Sequence, residues 1–162
     1  MATDVDHLHA RQPGRVDDLY RLVLLCCEPG AQGLVAFDQM VQSPFEGSSV
    51  DGAMIDRVHE FARDFERVLV ILDSNHTHEH VLAELRAYAP LVAEGSYCIV
   101  LDTIVEDLPS DVFPDRPWGP GNSPRSAIQE FLLDATEFEQ DRSIDSKLLI
   151  TCAPGGFLRR TP

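Results

Sequence analysis

Two periods of apolar residues alternate along most of the chain. Apolar positions recur at helical spacing over 54–65 and again after Thr77. The runs 68–72 and 96–101 are instead apolar on both faces, which is typical of buried parallel strands. A helix between two such strands forms a right-handed crossover, so the strands are expected to run parallel. The pattern therefore predicts an α/β domain over residues 46–162.

The C-terminal part of this pattern is less regular. A stretch at 104–122 contains four prolines, two glycines and the only tryptophan, which indicates an ordered loop over a site rather than a simple connection. Ser123-Pro124 then places a capping residue and a proline where helices begin. The remaining apolar runs predict three strands, at 138–144, 147–152 and 157–160.

Residues 1–45 do not continue the alternation and are predicted to form an atypical N-terminal segment. Within it, apolar spacing predicts a helix over 16–27, with Leu19, Tyr20 and Val23 facing inward. The sequence that follows this helix contains proline and glycine, which end helices. The chain therefore divides at about residue 46.

Charge narrows the set of partners. The 162 residues carry a formal net charge of −14. Nucleic acids and anionic membrane surfaces attract a surplus of Lys and Arg, so both partners are disfavoured. No apolar run approaches the roughly 20 residues of a transmembrane segment, and the N-terminus lacks the basic segment of a secretory signal. The four cysteines lack metal-binding spacing and are expected to be reduced thiols, which predicts a cytoplasmic protein.

Each of the two predicted central strands ends on a carboxylate. Asp73 follows the first run, and Asp102 follows the second. Ligands in open α/β sheets bind beyond the carboxyl ends of the strands, where these side chains would converge. Carboxylate oxygens suit a hard cation such as Mg²⁺. Either acid would equally serve as the cap of the helix that follows it, and both interpretations stay open at this point.

Three histidines follow the first of these acids. His76 lies three positions past Asp73, at the mouth of the strand, where an imidazole is able to act as a general base beside a metal ion. His78 and His80 are expected on the solvated first turn of a helix. Their spacing suggests a zinc hydrolase, but the Asp of that signature is absent. The sequence also has no phosphate-cradling glycine loop and no nucleophile elbow.

Several motifs together resemble one known family. They are Leu72-Asp73-Ser74-Asn75-His76-Thr77-His78, Gly95-Ser96-Tyr97, Asp102-Thr103 and Asp115-Arg116-Pro117-Trp118-Gly119-Pro120-Gly121-Asn122. In this order and spacing they are similar to motifs of the cephalosporin hydroxylase / rhamnosyl O-methyltransferase family. The resemblance extends from Glu46 to Arg160. It implies an α/β, Rossmann-like class I methyltransferase sheet that is mostly parallel, has an antiparallel C-terminal strand and is incomplete at the N-terminus.

The resemblance also implies roles for individual residues. Asp73 and Asp102 match acids that bind Mg²⁺, and Leu101 stands where the family has a further acid. His76 matches the base that deprotonates the acceptor hydroxyl. The implied cofactor-binding positions are Asp4 (or Asp6) at the ribose and Gly47, Ser48 and Ser49 near the adenine. The implied acceptor-binding positions are Arg116, Trp118 and Asn122.

The implied activity is a Mg²⁺-assisted methyl transfer from S-adenosylmethionine to a hydroxyl of a sugar, a glycolipid or another small metabolite. A homo-oligomer is compatible with this implied activity. The glycine-rich turn that holds the cofactor's methionine part in the family has no counterpart here, so we expect a truncated or mis-started copy. Two alternatives stay open: a catalytically inactive remnant that serves as a scaffold or binding protein, and a hydroxylase of the cephalosporin type.

Overall fold

The computed structural model describes residues 48–162 and, as a backbone strand, residues 21–27. The cofactor positions Asp4 and Gly47 lie outside the described residues, as does most of the atypical N-terminal segment. The strands are β1 (Arg21–Cys27), β2 (Arg67–Asp73), β3 (Tyr97–Val100), β4 (Phe138–Gln140) and β5 (Phe157–Arg160). The α-helices are α1 (Gly52–Ala62), α2 (His78–Tyr88), α3 (Pro124–Asp134) and α4 (Arg142–Leu148). Short 3-10 turns span Ala89–Leu91 and Thr103–Asp107.

The five strands form one sheet in the order β1-β2-β3-β5-β4. β2 and β3 pair in parallel, with Val70 opposite Cys98 and Leu72 opposite Val100, so the predicted crossover is confirmed. β5 runs antiparallel to both β3 and β4, which confirms the antiparallel C-terminal strand. The α/β, Rossmann-like class is thus confirmed. The sheet is less parallel than predicted: among the described strands, β2 and β3 pair in parallel, whereas the β1–β2, β3–β5 and β4–β5 pairings are antiparallel.

One hydrophobic cluster joins the sheet to α1, α2 and α3. Along β2, buried Val68, Val70 and Leu72 alternate with half-buried neighbours, as the period of a strand requires. The predicted helical stripes supply the other side of the cluster. Their buried members are Met54, Val58, Val81, Leu85, Tyr88, Ala127, Ile128 and Phe131. Burying each large apolar side chain contributes about 1.5–3 kcal/mol, so this cluster holds the ends of β2 and β3 in place.

The predicted helix over 16–27 is wrong in its described part. Residues 21–27 form β1, and Arg21 lies opposite Asp73 while Cys27 lies opposite Arg67. A short run that is apolar at nearly every position satisfies the period of a helix and of a strand alike. Backbone pairing with β2 therefore decides the conformation of residues 21–27. The local pattern of apolar residues does not specify that pairing.

The predicted strands at 138–144 and 147–152 are also largely wrong. Only Phe138–Gln140 pairs in the sheet, and Arg142–Leu148 forms α4. Asp141 caps this helix, because its side chain accepts a hydrogen bond from the Ser143 backbone N–H at 3.0 Å. The residues after α4 are not in a strand, and Leu149 and Ile150 are 88% and 91% exposed. None of the helices in the described residues has the length and apolar character that crossing a bilayer requires.

Candidate active site

Three polar side chains meet at the edge of the sheet where β2 and β3 end. Asp73 is the last residue of β2, and Asp102 follows β3 after a single intervening residue. His76 comes from the turn between β2 and α2. Each of the three offers one ligand atom, and these atoms lie within 4.8 Å of one another. The structure therefore brings together the two acids and the histidine that the sequence singled out.

His76 and Asp102 form a hydrogen-bonded pair within this group, with Nε2 of His76 2.9 Å from Oδ2 of Asp102. The bond from His76 lowers the pKa of Asp102 and outweighs burial, which acts in the opposite direction. Asp102 is consequently ionised at neutral pH, and an ionised carboxylate only accepts hydrogen bonds. Nε2 therefore carries the proton of the pair. In the neutral ring, Nδ1 is then the unprotonated nitrogen, as a general base needs.

The backbone at Asp102 turns sharply. Its φ of +52° lies in the left-handed region, which Asp tolerates better than most residues. The Leu101 N–H donates to the Leu72 carbonyl at 3.0 Å, so the parallel pairing continues up to the turn. A hydrogen bond with the Cys152 side chain is a smaller cause of the lowered pKa of Asp102. The Leu101 side chain has no oxygen to offer, so Asp73 and Asp102 are the carboxylates that the described part of the chain brings to this group.

The long loop lies against the imidazole. The ring centroids of His76 and Trp118 are 5.2 Å apart, and Phe113 contacts the Trp118 ring edge-on at 5.0 Å. The Arg116 guanidinium lies 5.7 Å from the Trp118 ring centroid, within cation–π distance. Trp118 is half-buried, whereas Arg116 and Phe113 are exposed. Of the predicted acceptor residues, Trp118 thus lies beside the candidate base, and Arg116 and Phe113 contact Trp118.

The same loop is fixed by its own polar contacts. The Asn122 amide donates to the Pro117 carbonyl at 2.7 Å and accepts from the His78 backbone N–H at 2.8 Å. The Glu106 carboxylate accepts from the Gly121 N–H at 3.0 Å and from the Ser123 hydroxyl. Both the nitrogen and the oxygen of the Asn122 side-chain amide therefore hold the loop in place. The contact of Asn122 with a methyl-acceptor substrate stays a prediction.

Of the described cofactor positions, Ser49 contacts residues of α2. Ser49 is buried, its carbonyl accepts from the Tyr88 hydroxyl, and its Oγ lies 3.1 Å from Nε2 of His80. Ser48 is half-buried, and its carbonyl accepts from the Asp51 N–H at 3.0 Å. Ser49 thus anchors the start of α1 to α2, and its contact with a cofactor stays a prediction.

The expectation that His78 and His80 are solvated is wrong. His78 bridges to α3, with Nδ1 2.8 Å from the Ser126 hydroxyl and Nε2 3.0 Å from the Glu130 carboxylate. The side chain of His80 is only 12% exposed. Both histidines fall on the first turn of α2, but their ring nitrogens contact residues of other elements, which local sequence does not reveal.

Sequence reasoning also missed Glu84, which is fully buried on α2. Its Oε1 accepts a hydrogen bond from the Ser74 hydroxyl at 2.7 Å. The sequence contained a sign of this burial, because Glu84 falls among Val81, Leu85 and Tyr88 on the buried stripe of the helix. A carboxylate at such a position is rare unless it is partnered, so it would have marked a polar group inside the core.

Comparison with known proteins gives a family match over most of the chain. A family model described as rhamnosyl O-methyltransferase/CmcI matches residues 36–161. This match begins before the predicted boundary at residue 46 and includes every candidate site residue from Gly47 onward. No solved structure matches.

Individual relatives carry the same description. A rhamnosyl O-methyltransferase of Mycobacterium tuberculosis (strain ATCC 25618 / H37Rv) is 33% identical over 117 residues, which are 71% of this chain and 45% of the relative. The same figures hold for a protein of that description from Mycobacterium bovis (strain ATCC BAA-935 / AF2122/97). One from Mycobacterium leprae (strain TN) is 30% identical over 116 residues, which are 71% of this chain and 48% of the relative. The chain spans about half the length of these curated relatives.

Proposed function

The chain belongs to the rhamnosyl O-methyltransferase/CmcI family, and we propose that it methylates a hydroxyl group with S-adenosylmethionine as methyl donor and Mg²⁺ as the assisting metal. The observation that carries this proposal is the convergence of Asp73, His76 and Asp102 at the carboxyl ends of β2 and β3. A base and two carboxylates at this edge of the sheet are groups that are able to activate the hydroxyl that accepts the methyl group.

Asp73 and Asp102 are the residues that would hold the metal. Their carboxylate oxygens have the chemistry that Mg²⁺ prefers, and their ligand atoms lie close enough together to share one ion. Mg²⁺ binds through one or two carboxylates in many sites and keeps several waters, so the Leu101 position need not contribute. When bound, the ion would supply Lewis-acid stabilisation of an acceptor oxygen.

His76 is the proposed base. Asp102 holds the imidazole by its Nε2–H, which leaves Nδ1 to accept the proton of the acceptor hydroxyl. Trp118 packs on the ring and limits its rotation. The loop that carries Trp118, Arg116 and Asn122 would exclude water from the acceptor, because its own hydrogen bonds hold it against the site.

The proposed acceptor is a rhamnosyl-type sugar, since the relatives are described as rhamnosyl O-methyltransferases. A glycolipid would bring an apolar part beside that sugar. Exposed Leu149 and Ile150 precede Cys152, whose side chain contacts Asp102, so apolar surface lies close along the chain to the candidate site. We propose a cytoplasmic location, because Cys98 and Cys152 are free thiols.

The test is methyl transfer from radiolabelled S-adenosylmethionine to a rhamnosyl glycoside. We expect His76→Ala to lower transfer about 10²–10⁴-fold, the usual contribution of a general base, and to leave the calorimetric affinity for the cofactor nearly unchanged. His59→Ala is the matched control, because its Nε2 contacts the Ala87 carbonyl, remote from the group. Equal activity in His76→Ala and wild type would remove the base assignment.

The second candidate is an inactive remnant that serves as a scaffold or binding protein. One observation favours it: Leu101 supplies no side-chain oxygen at the site. Calorimetry separates the two proposals. An absence of S-adenosylmethionine binding up to millimolar concentration would support the remnant, whereas saturable binding would support the enzyme.

A further inference from the structure

A buried carboxyl group, that of Glu84, bonds to the turn that carries the candidate site. Glu84 is 0% exposed, and its Oε1 accepts from the Ser74 hydroxyl at 2.7 Å. Its Oε2 has no hydrogen-bond partner among the described residues. Burying a charged or polar group in this way is costly unless the group is fully bonded. Ordinary core packing therefore does not explain a glutamate at this position.

The partner of Glu84 occupies a sensitive position. Ser74 directly follows Asp73 and lies two residues before His76. The bond from Ser74 to Glu84 thus ties the start of the turn between β2 and α2 to the helix α2. The turn is tied a second time, because the Thr77 N–H donates to the Asn75 side chain at 2.9 Å. The proposed metal ligand directly precedes Ser74, and the proposed base follows it by two positions.

Glu84 also reaches the segment before α1. Nε2 of His80 lies 3.6 Å from Oε1 of Glu84 and 3.1 Å from Oγ of Ser49. The negative charge of Glu84 adds to burial in raising the pKa of the Tyr88 hydroxyl, so the two groups are close. One buried carboxylate therefore lies among the turn after β2, the segment at Ser49 and the core of α2.

We propose that Glu84 is a positioning residue: through Ser74 it holds the turn that carries Asp73 and His76, and through His80 it links that turn to Ser49. The inference rests on the proposed function, because it gives Glu84 a role in the geometry of the same site. It explains why a carboxyl group is kept in the core, where an apolar side chain of similar size is often as stable or more stable.

Two variants test the inference in the full chain. Glu84→Leu removes the hydrogen-bond acceptor and fills the space with apolar atoms, so it is expected to keep or raise the thermal unfolding midpoint. It is also expected to weaken Mg²⁺ binding about tenfold, because residues that orient the ligands of a metal contribute about this much to metal affinity. Ser74→Ala removes the donor and is expected to weaken Mg²⁺ binding by a similar factor of about ten, whereas Ser74→Thr keeps the hydroxyl and restores the affinity.

The readouts are Mg²⁺ affinity by calorimetry, the unfolding midpoint, and the imidazole nitrogen resonances of His76 in the absence of metal. Val58→Ala is the matched control, because it lowers stability through a cavity in the same core without touching the turn. Unchanged His76 resonances in both Ser74→Ala and Glu84→Leu would overturn the inference, even if wild type transfers methyl groups. Shifted resonances would support it even if wild type bound no Mg²⁺, a result that would count against the proposed function alone.

Discussion

Replacing Asp102 with Asn is the sharpest perturbation of the candidate site. The side chain keeps its size, but the acceptor 2.9 Å from Nε2 of His76 loses its charge. The amide nitrogen of Asn is a donor, and if it faces the ring it stabilises the tautomer that carries its proton on Nδ1. That tautomer removes the lone pair that the proposed base needs.

The magnitude follows from what the base contributes. General-base catalysis raises the rate by a factor of about 10²–10⁴. The fraction of imidazole rings in the wrong tautomer sets how much of this factor the variant loses. Loss of the orienting Asp of a serine protease triad lowers kcat by about 10⁴, which gives the upper limit here. His76 is 19% exposed and Asp102 35% exposed, so water will rescue part of the correct tautomer. We therefore expect a loss in kcat of about 10²–10³-fold.

The assay is kcat and KM for methyl transfer as a function of Mg²⁺ concentration. Asp107→Asn is the control, because Asp107 is another carboxylate whose pKa is lowered, here by Arg125, on the exposed part of the neighbouring turn. We expect Asp102→Asn to remain slow at saturating Mg²⁺. Full recovery of kcat at high Mg²⁺ would show that Asp102 serves only as a metal ligand, and would refute its role in orienting His76.

Three further predictions concern stability. Gly156→Ala should lower the free energy of unfolding in urea by about 1–3 kcal/mol, because its Cβ would lie 2.2 Å from the Val100 carbonyl oxygen. Gly119→Ala is the control and should leave that free energy nearly unchanged, because a Cβ there would meet nothing within 4 Å. Ser123→Ala should lower the free energy of unfolding by about 0.5–2 kcal/mol, since it removes the α3 cap; an unchanged denaturant midpoint would contradict this. The folded-state pKa of Asp102 is lowered, so its contribution to stability is complete above its ordinary pKa of about 3.9 and is lost as pH falls through the lowered value. Thermal melting from neutral to acidic pH should therefore show a smaller acid loss for Asp102→Asn than for wild type, and parallel curves would contradict the assignment.

The central part of the fold was predictable because its local and global preferences agree. The run that ends at Asp73 is apolar on both faces, and it forms β2, an interior strand of the sheet. The capping signal at Ser123-Pro124 was equally reliable, since Ser123 and Ser126 form a reciprocal capping box at the start of α3. In both places the residues that form the structure are adjacent in sequence.

The failures share a physical cause. Residues 21–27 became a strand because β2 offers an edge to pair with, and residues 142–148 became a helix because Asp141 caps them locally while β5 pairs no further. The partners of Glu84 and His80 lie 10 and 31 residues away in sequence. No pattern within one segment specifies contacts over such separations, since they depend on how the elements pack.

The sequence by itself determined the α/β alternation, the two strand-end acids, the histidine at the mouth of β2 and the family resemblance. Those features follow from local periodicity and residue chemistry, which are readable along the chain. Only the tertiary structure decided that Nε2 of His76 bonds Asp102, that Trp118 packs on the same ring, and that Glu84 lies buried beneath the turn. These contacts join segments far apart in sequence, and their geometry is fixed by the packing of helices against the sheet.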